Sequence, residues 1–305
     1  MTIPIVSNPF YSFSFPDSHR FPMEKFGLLE TLCRENGWLN ANNYFRPGTA
    51  KMELLEQAHC TGYLSRFINN QQTKQERRRM GLPWSEGLLK RSLISPNGTF
   101  LTAQLALKHG IACHLAGGTH HAHYDFASGF CILNDLAITA KALLAQNKVK
   151  KVLIFDCDVH QGDGTASILA DEPRAFTCSI HCEKNFPARK AKSDLDVGLP
   201  ALISEQDYLD TVQSTLQELI KNQQPDLIIY DAGVDVFDGD PLGLLSISEA
   251  SIKAREEIVL RLCKQACIPV ATVIGGGYDD NRLALARRHA LVIEAAHSVF
   301  SQTNT

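Results

Sequence analysis

Five short apolar runs alternate with amphipathic helical patterns through the last two-thirds of the chain, and this alternation constrains the fold more than any other feature. The runs cover residues 111–115, 151–156, 175–180, 226–231 and 269–274. Strands that are apolar on both faces and separated by helix-length segments are typical of a parallel sheet with helices on both faces. We therefore expect an α/β fold with a mostly parallel central sheet.

The first hundred residues predict mainly helices, with one expected over 23–35 and another over 51–69. The polar stretch 71–79 reads as a helix end or loop and 82–87 as an ordered loop, and the sequence alone assigns neither a role. No repeat, low-complexity tract or long linker divides the chain, so we expect a single domain over residues 1–305.

Charge and composition argue against several classes of partner. The formal net charge is −3, which provides no attraction for nucleic acid. No apolar stretch approaches the ~20 residues that span a bilayer, and residues 1–9 lack the pattern of a secretory signal. Most of the nine cysteines lie in apolar runs, as expected for free thiols in a reducing compartment. We therefore expect a soluble cytoplasmic protein without a nucleic acid or membrane partner.

The segment FDCDVHQGDG, residues 155–164, places acidic residues and a histidine where a buried strand should end. Asp158 and His160 are two residues apart on an extended segment, so their side chains point to the same side. Two carboxylates, one imidazole and an open position are typical of a catalytic zinc site. An acid-rich surface loop with a capping Asp-Gly turn is the alternative.

A third ligand must come from elsewhere in the chain, and the loop 231–243 offers several carboxylates. Its acidic residues are Asp231, Asp235, Asp238 and Asp240, the last of which precedes Pro241 in a glycine-rich turn.

Tandem histidines, His120 and His121, lie within GGTHHAHYDFASGF and do not fit an apolar stripe. A buried carboxylate beside each imidazole would fix its tautomer and raise its basicity. Asp156 and Asp163 are the spare carboxylates near the predicted metal. A purely structural histidine cluster is the alternative.

The segment IGGGYDD, residues 274–280, puts three glycines before Tyr278. Glycines permit a tight turn that would present the tyrosine hydroxyl to a developing oxyanion. A flexible turn with a packing tyrosine is the alternative.

Together, GGTHHAHYDFASGFCILND, FDCDVHQGDG, GVDVFDGDPLG and GGGY resemble, in order and spacing, the zinc-dependent histone deacetylase superfamily. The resemblance implies the arginase/deacetylase α/β fold. It covers about residues 16–295, because HRFPMEKFGLL and AHCTGYLSRF are also similar to the family's N-terminal segments.

By this resemblance, Asp158, His160 and Asp240 are the zinc ligands, although two carboxylates and one imidazole discriminate poorly between Zn(II) and Fe(II). The resemblance also implies a structural potassium ion, bound by Asp156 and the backbone around Ser179.

The resemblance further implies amide hydrolysis by a metal-activated water. His120 and His121 would act as bases and acids, with Asp156 and Asp163 as their respective partners. Tyr278 and the metal would stabilise the oxyanion.

The implied substrate is an acyl-lysine side chain of a protein or peptide. Gly129 and Phe130 would line its tunnel, with Phe186 as the opposite wall. Leu242 is apolar where polyamine deacetylases of the family tend to place an acid, which argues against an acetylpolyamine substrate. Gln161 stands where many class I members carry a second histidine, a variant that resembles class IV and bacterial members.

Other functions remain open at this point. Within the fold, the alternatives are a small-molecule amidohydrolase, such as an acetylpolyamine deacetylase, and an arginase-like reaction with two manganese ions. A non-catalytic acyl-lysine binder would be expected to lack Tyr278, a histidine or a metal ligand.

The resemblance also makes Arg20 a candidate for the arginine that lines the inner channel in this family.

Overall fold

Within residues 2–16 and 18–301, which the computed structural model describes, eight strands form one parallel sheet. In chain order they are β1 (Ile5–Val6), β2 (Tyr44–Phe45), β3 (Ile111–His114), β4 (Val152–Asp156), β5 (Ala175–Cys182), β6 (Leu195–Leu199), β7 (Leu227–Asp231) and β8 (Val270–Val273). Their order across the sheet is β2-β1-β3-β8-β7-β4-β5-β6, and every neighbouring pair is parallel. The predicted parallel α/β fold is confirmed.

The helices connect these strands. They are α1 (Lys25–Glu35), α2 (Met52–Leu55), α3 (Thr61–Ile68), α4 (Lys74–Met80), α5 (Glu86–His109), α6 (Asp135–Ala145), α7 (Asp163–Leu169), α8 (Glu205–Gln223), α9 (Glu249–Gln265) and α10 (Arg282–Ser301), with a 3-10 turn over Pro9–Tyr11. In the part of the chain described, no helix has the length and apolar character needed to cross a membrane.

The central strands β3, β4, β7 and β8 are buried along their whole length, which explains their continuous apolar sequences. In the β4 register, Asp156 pairs with Asp231 on β7 and with Ser179 on β5. Asp156 and Asp231 therefore lie side by side at the carboxyl ends of β4 and β7, next to Ser179 within β5.

The predicted helix over 51–69 is instead two helices, α2 and α3, separated by a turn at residues 56–60. His59 in this turn is buried, and its Nδ1 lies 2.9 Å from the carbonyl oxygen of His123. Its Nε2 accepts a hydrogen bond of 2.8 Å from the backbone N–H of Asn134. The break in the helix thus places an imidazole beneath the segment that carries the tandem histidines.

The polar stretch 71–79, predicted as a helix end or loop, contains most of α4. Thr73 and Glu76 form a capping box at its start, and Gly81 ends it in the left-handed conformation. The end of this helix lies beside Phe130, whose backbone N–H donates to the carbonyl oxygen of Met80 at 3.2 Å.

Candidate active site

Loops at the carboxyl ends of β3, β4, β7 and β8 meet around one cavity of about 480 Å³. In a parallel sheet these strand ends share one edge, where ligands characteristically bind. Each loop contributes side chains to the lining, among them His121, His160, Asp235 and Tyr278.

Asp158, His160 and Asp235 form a buried group of potential metal ligands in this cavity. One ligand atom of each lies within 4.8 Å of the other two. His160 Nδ1 is 3.0 Å from Asp158 Oδ1 and 3.1 Å from Asp235 Oδ2. Atoms this close together can contact one ion at bond lengths of about 2 Å, and two carboxylates with one imidazole suit zinc or ferrous iron.

Backbone N–H groups hold the other oxygens of these two carboxylates. The N–H of Gly276 donates to Asp158 Oδ2 at 2.7 Å, and that of Val159 donates to Asp235 Oδ1 at 2.8 Å. Residue 276 must be glycine in this arrangement, because a Cβ atom there would lie 2.2 Å from Asp235 Oδ2. These contacts orient both carboxylates towards His160.

The assignment of Asp240 as the third ligand stays a prediction, and the geometry adds Asp235 as a second candidate. Among the described residues, the group of ligand atoms contains Asp235 and not Asp240. Asp240 Oδ1 accepts hydrogen bonds from the N–H groups of Leu242 and Gly243 at 2.8 and 3.1 Å, and Oδ2 accepts one from Tyr278 at 2.7 Å. Asp240 therefore joins the loop after β7 to the loop after β8, and both Asp240 and Asp235 are candidates for the third ligand.

Both tandem histidines lie beside the carboxylates predicted as their partners. His120 Nδ1 is 2.8 Å from Asp156 Oδ2, and His121 Nδ1 is 2.7 Å from Asp163 Oδ1. The two imidazole centroids are 4.1 Å apart, and both rings are buried. The structure brings these four side chains together as two pairs, and their roles in acid-base chemistry stay a prediction.

The two histidines have different electrostatic surroundings. Burial lowers the pKa of His120, but the charges of Asp156 and Asp158 outweigh burial and raise this pKa well above its ordinary value. Burial and the neighbouring His120 lower the pKa of His121 to about 4, although Asp163 opposes the shift. These surroundings favour a proton on His120 over one on His121.

Tyr278 follows the glycine turn and lines the cavity, with its ring centroid 6.0 Å from that of Phe130. Beneath the turn, buried Lys25 donates through Nζ to the carbonyl oxygens of Gly275 and Gly277 at 3.4 and 3.3 Å. Burial lowers the pKa of Lys25 to about 8. Lys25 thus supports the segment that presents the tyrosine.

Lys25 was not found by reasoning from the sequence, which considered Arg20 for the inner cation. Arg20 is exposed and lines the cavity as a surface residue. The available signal for Lys25 was a lysine at the start of an otherwise apolar helix face that includes Phe26 and Leu29.

The four residues predicted to bind substrate all line the cavity: Gly129, Phe130, Phe186 and Leu242. Gly129 has a φ of 53°, and a Cβ atom there would lie 2.6 Å from the imidazole of His121. Phe186 is 45% exposed, with its ring centroid 4.8 Å from that of His121. An aromatic entrance on these residues suits an aliphatic side chain, and their contact with substrate stays a prediction.

Exposed arginines border the opening of the cavity: Arg20, Arg78 and Arg79. Within the described chain, no hydrogen bond or ion pair engages their side chains, so their charges are available to a ligand. Arg79 instead packs over the ring of Phe126, 4.3 Å from its centroid.

A second buried group contains His120, Asp156 and Asp231. Neither carboxylate oxygen of Asp231 has a hydrogen-bond partner among the described residues. Burial, followed by the charge of Asp156, raises the pKa of Asp231 well above its ordinary value. A carboxyl group in this position must be either protonated or balanced by a cation.

Comparisons with known proteins find relatives over nearly the whole chain. The histone deacetylase domain family matches residues 19–293. The chain is 46% identical over 300 residues to an uncharacterized protein of Picosynechococcus sp., covering 98% of this chain and 100% of that one. It is 28% identical over 288 residues to histone deacetylase 2 of Arabidopsis thaliana, covering 90% of this chain and 74% of the plant protein. A solved structure of an HDAC homolog complexed with SAHA shares the fold with a TM-score of 0.81 at 21% identity, covering 97% of this chain and 84% of that chain.

Proposed function

Because the chain belongs to the histone deacetylase family, whose members hydrolyse amides, we propose that it removes acyl groups from Nε-acyl-lysine in proteins or peptides. One observation carries the proposal: Asp158, His160 and Asp235 share a cavity with two histidine-carboxylate pairs and a tyrosine. These are the components that metal-assisted amide hydrolysis needs within reach of one carbonyl group.

We propose that Asp158, His160 and Asp240 hold Zn(II) or Fe(II), as the family resemblance implies, with Asp235 beside His160 as the alternative third ligand. When bound, this ion would lower the pKa of a water molecule and polarise the acyl carbonyl. A structural potassium ion is proposed at Asp156 and the backbone around Ser179, which are register partners on β4 and β5. The unpartnered carboxylate of Asp231 beside Asp156 supports a cation in this region.

Neutral His121 is the proposed proton acceptor, and its Nδ1 is engaged by Asp163, which leaves Nε2 for the water. Protonated His120 keeps its proton through Asp156 and supplies positive charge beside the developing oxyanion. Having accepted a proton, His121 would then donate it to the leaving lysine amine.

Tyr278 is proposed to donate its hydroxyl hydrogen bond to the oxyanion, which is a preorganised form of stabilisation. Asp240 positions it by accepting its backbone N–H, and Lys25 supports the preceding turn. In this proposal Lys25 is a positioning residue, and Asp240 positions Tyr278 in addition to its role as a ligand.

The walls of the cavity support an acyl-lysine rather than an acetylpolyamine as substrate. Phe130 and Phe186 offer apolar surface to the methylene stem. Polyamines are cationic, and the unpaired arginines Arg20, Arg78 and Arg79 at the opening would repel them. Leu242 provides no charge to bind a second amine.

We propose a cytoplasmic location, because all nine cysteines are free thiols. A non-catalytic acyl-lysine binder is disfavoured, since Asp158, His160, both tandem histidines and Tyr278 all line the cavity.

The decisive experiment measures hydrolysis of an acetyl-lysine peptide by purified protein reconstituted with zinc or, anaerobically, with ferrous iron. We expect turnover that is lost on chelation, restored by the metal and inhibited by SAHA. N-acetylspermidine serves as the competing substrate. Faster hydrolysis of acetylspermidine would favour the small-molecule alternative, and binding of the peptide without turnover would favour the acyl-lysine binder.

A further inference from the structure

Arg91, on α5, is a buried cation that faces the same cavity. It is 6% exposed, and the surface that it retains lines the cavity wall. Its Nε donates to the carbonyl oxygen of Tyr11 at 3.1 Å. Within the described chain, no hydrogen bond or ion pair reaches its two terminal nitrogens. These nitrogens are therefore free to donate to a ligand.

Other buried arginines of the fold have carboxylate partners. Arg255 Nη2 lies 2.5 Å from Glu256, and Arg288 forms ion pairs with Asp279 and Glu249. A buried guanidinium without a nearby counter-charge is costly, so such groups are normally paired. Burial lowers the pKa of Arg91 to about 10, which still leaves it charged at neutral pH. Asp135 acts on Arg91 electrostatically, but no carboxylate of the described residues contacts its terminal nitrogens, so the cavity side of Arg91 can take an anion from outside the protein.

The surroundings of Arg91 are aromatic and lie close to the candidate catalytic groups. Its guanidinium carbon is 4.3 Å from the ring centroid of Phe26 and 5.7 Å from that of Phe21. The Nζ atom of Lys25 is 5.5 Å from the Phe26 centroid and 5.9 Å from that of Tyr278. The Phe26 ring thus contacts both Arg91 and Lys25, and it offers apolar surface to a short carbon chain.

We propose that Arg91 binds the terminal carboxylate of a dicarboxylic acyl group, so that the cavity accepts Nε-succinyl-lysine or Nε-glutaryl-lysine. This inference rests on the proposed function and names a substrate class for the same site. The planar guanidinium offers two parallel N–H donors to a carboxylate. In the reaction, water gives its oxygen to the acyl carbon, the C–N bond breaks, and the amine takes up a proton. The products are the lysine side chain and a free dicarboxylate.

The first test uses the unmodified protein and one peptide in three forms: Nε-acetyl, Nε-succinyl and the methyl ester of Nε-succinyl. The ester matches the length of the acid and lacks its charge. We expect kcat/KM for the acid to exceed that for the ester by about 10-fold to 100-fold. An ester hydrolysed as fast as the acid overturns the inference. If the acetyl peptide is hydrolysed in that case, the proposed function survives; if none of the three is hydrolysed, the proposed function fails as well.

The second test assigns the preference to Arg91. Arg91→Met is expected to abolish the preference for the acid, measured as the ratio of kcat/KM for acid and ester within the variant, and Arg91→Lys is expected to retain part of that preference. Arg287→Met, at an exposed position of α10 that does not line the cavity, is the matched control. A preference that persists in Arg91→Met overturns the assignment. If Arg91→Met does not fold, as judged from its melting curve, the ester comparison still decides the inference.

The third test separates Arg91 from the exposed arginines at the opening. Salt at 0.5 M screens Arg20, Arg78 and Arg79 far more than a buried pair. We expect the preference for the acid to survive at this salt concentration. Binding of free succinate to metal-free protein, measured by calorimetry, gives a readout independent of turnover and is expected to weaken about 10-fold or more in Arg91→Met. Complete loss of the preference in salt, or equal succinate binding by both proteins, contradicts the inference.

Discussion

Replacing Asp240 by asparagine separates a positioning role from a ligand role. In the native protein, the backbone N–H of Tyr278 donates to Asp240 at 2.7 Å. In the variant, the asparagine oxygen can still accept hydrogen bonds from the N–H groups of Leu242 and Gly243, but its NH₂ group faces the N–H of Tyr278. One buried N–H loses its acceptor, at a cost of about 1–3 kcal/mol. We expect the melting temperature to fall by roughly 2–4 °C for each kcal/mol.

If the whole loss is expressed in the placement of Tyr278, kcat falls about fivefold to 150-fold. Bound zinc, measured by elemental analysis after dialysis, separates the two roles. Because Asp240 is the proposed ligand, we expect Asp240→Asn to lose zinc and the matched variant Asp235→Asn to retain it. The assignment is refuted if Asp240→Asn keeps one equivalent of zinc and Asp235→Asn loses it, which would leave Asp240 with the positioning role alone.

Three further predictions concern single side chains. Tyr278→Phe is expected to lower kcat by about 10²-fold in a steady-state assay with unchanged zinc content, and an unaltered rate would remove its oxyanion role. Lys25→Met removes two hydrogen bonds to the glycine turn. We therefore expect kcat to fall about tenfold while the metal content stays constant. Equal rates for the variant and the unmodified protein would show that Lys25 does not position Tyr278. Burial lowers the pKa of His59 to about 4. The unfolded chain therefore protonates this imidazole below about pH 6.5, whereas the folded chain protonates it only below about pH 4. Stability should therefore fall by about 3 kcal/mol as the pH drops through this window. His59→Gln should flatten that loss in urea titrations, and an unchanged pH dependence would exclude His59 as its source.

The sequence predicts the central strands well because each is buried on both faces and reads as an unbroken apolar run. Strand β6 is not predicted because it lies at the edge of the sheet and begins with alternating half-buried and exposed residues, so its sequence lacks a continuous apolar run. Strands β1 and β2 have two residues each, too few to form a pattern. Their pairing is decided by long-range contacts that local periodicity does not encode.

The site shows the same division between local and distant information. Asp158 and His160 are recognisable because their spacing within one extended segment fixes their direction. The choice between Asp235 and Asp240 depends on how a loop folds over another strand, and the sequence offers both as equivalent acids. Lys25 and Arg91 come from parts of the chain far from the motifs, so only the assembled cavity identifies them.

The hydrogen bonds from Lys25 to the glycine turn join positions 250 and 252 residues apart. Helix α1 and the loop after β8 must therefore both be synthesised, and must meet, before the tyrosine is held in place. The candidate metal ligands, between residues 158 and 240, leave the ribosome before this loop, but the Gly276 N–H that orients Asp158 belongs to the loop itself. During synthesis, ion binding and oxyanion stabilisation are thus completed together, when residues 275–278 reach the edge of the sheet.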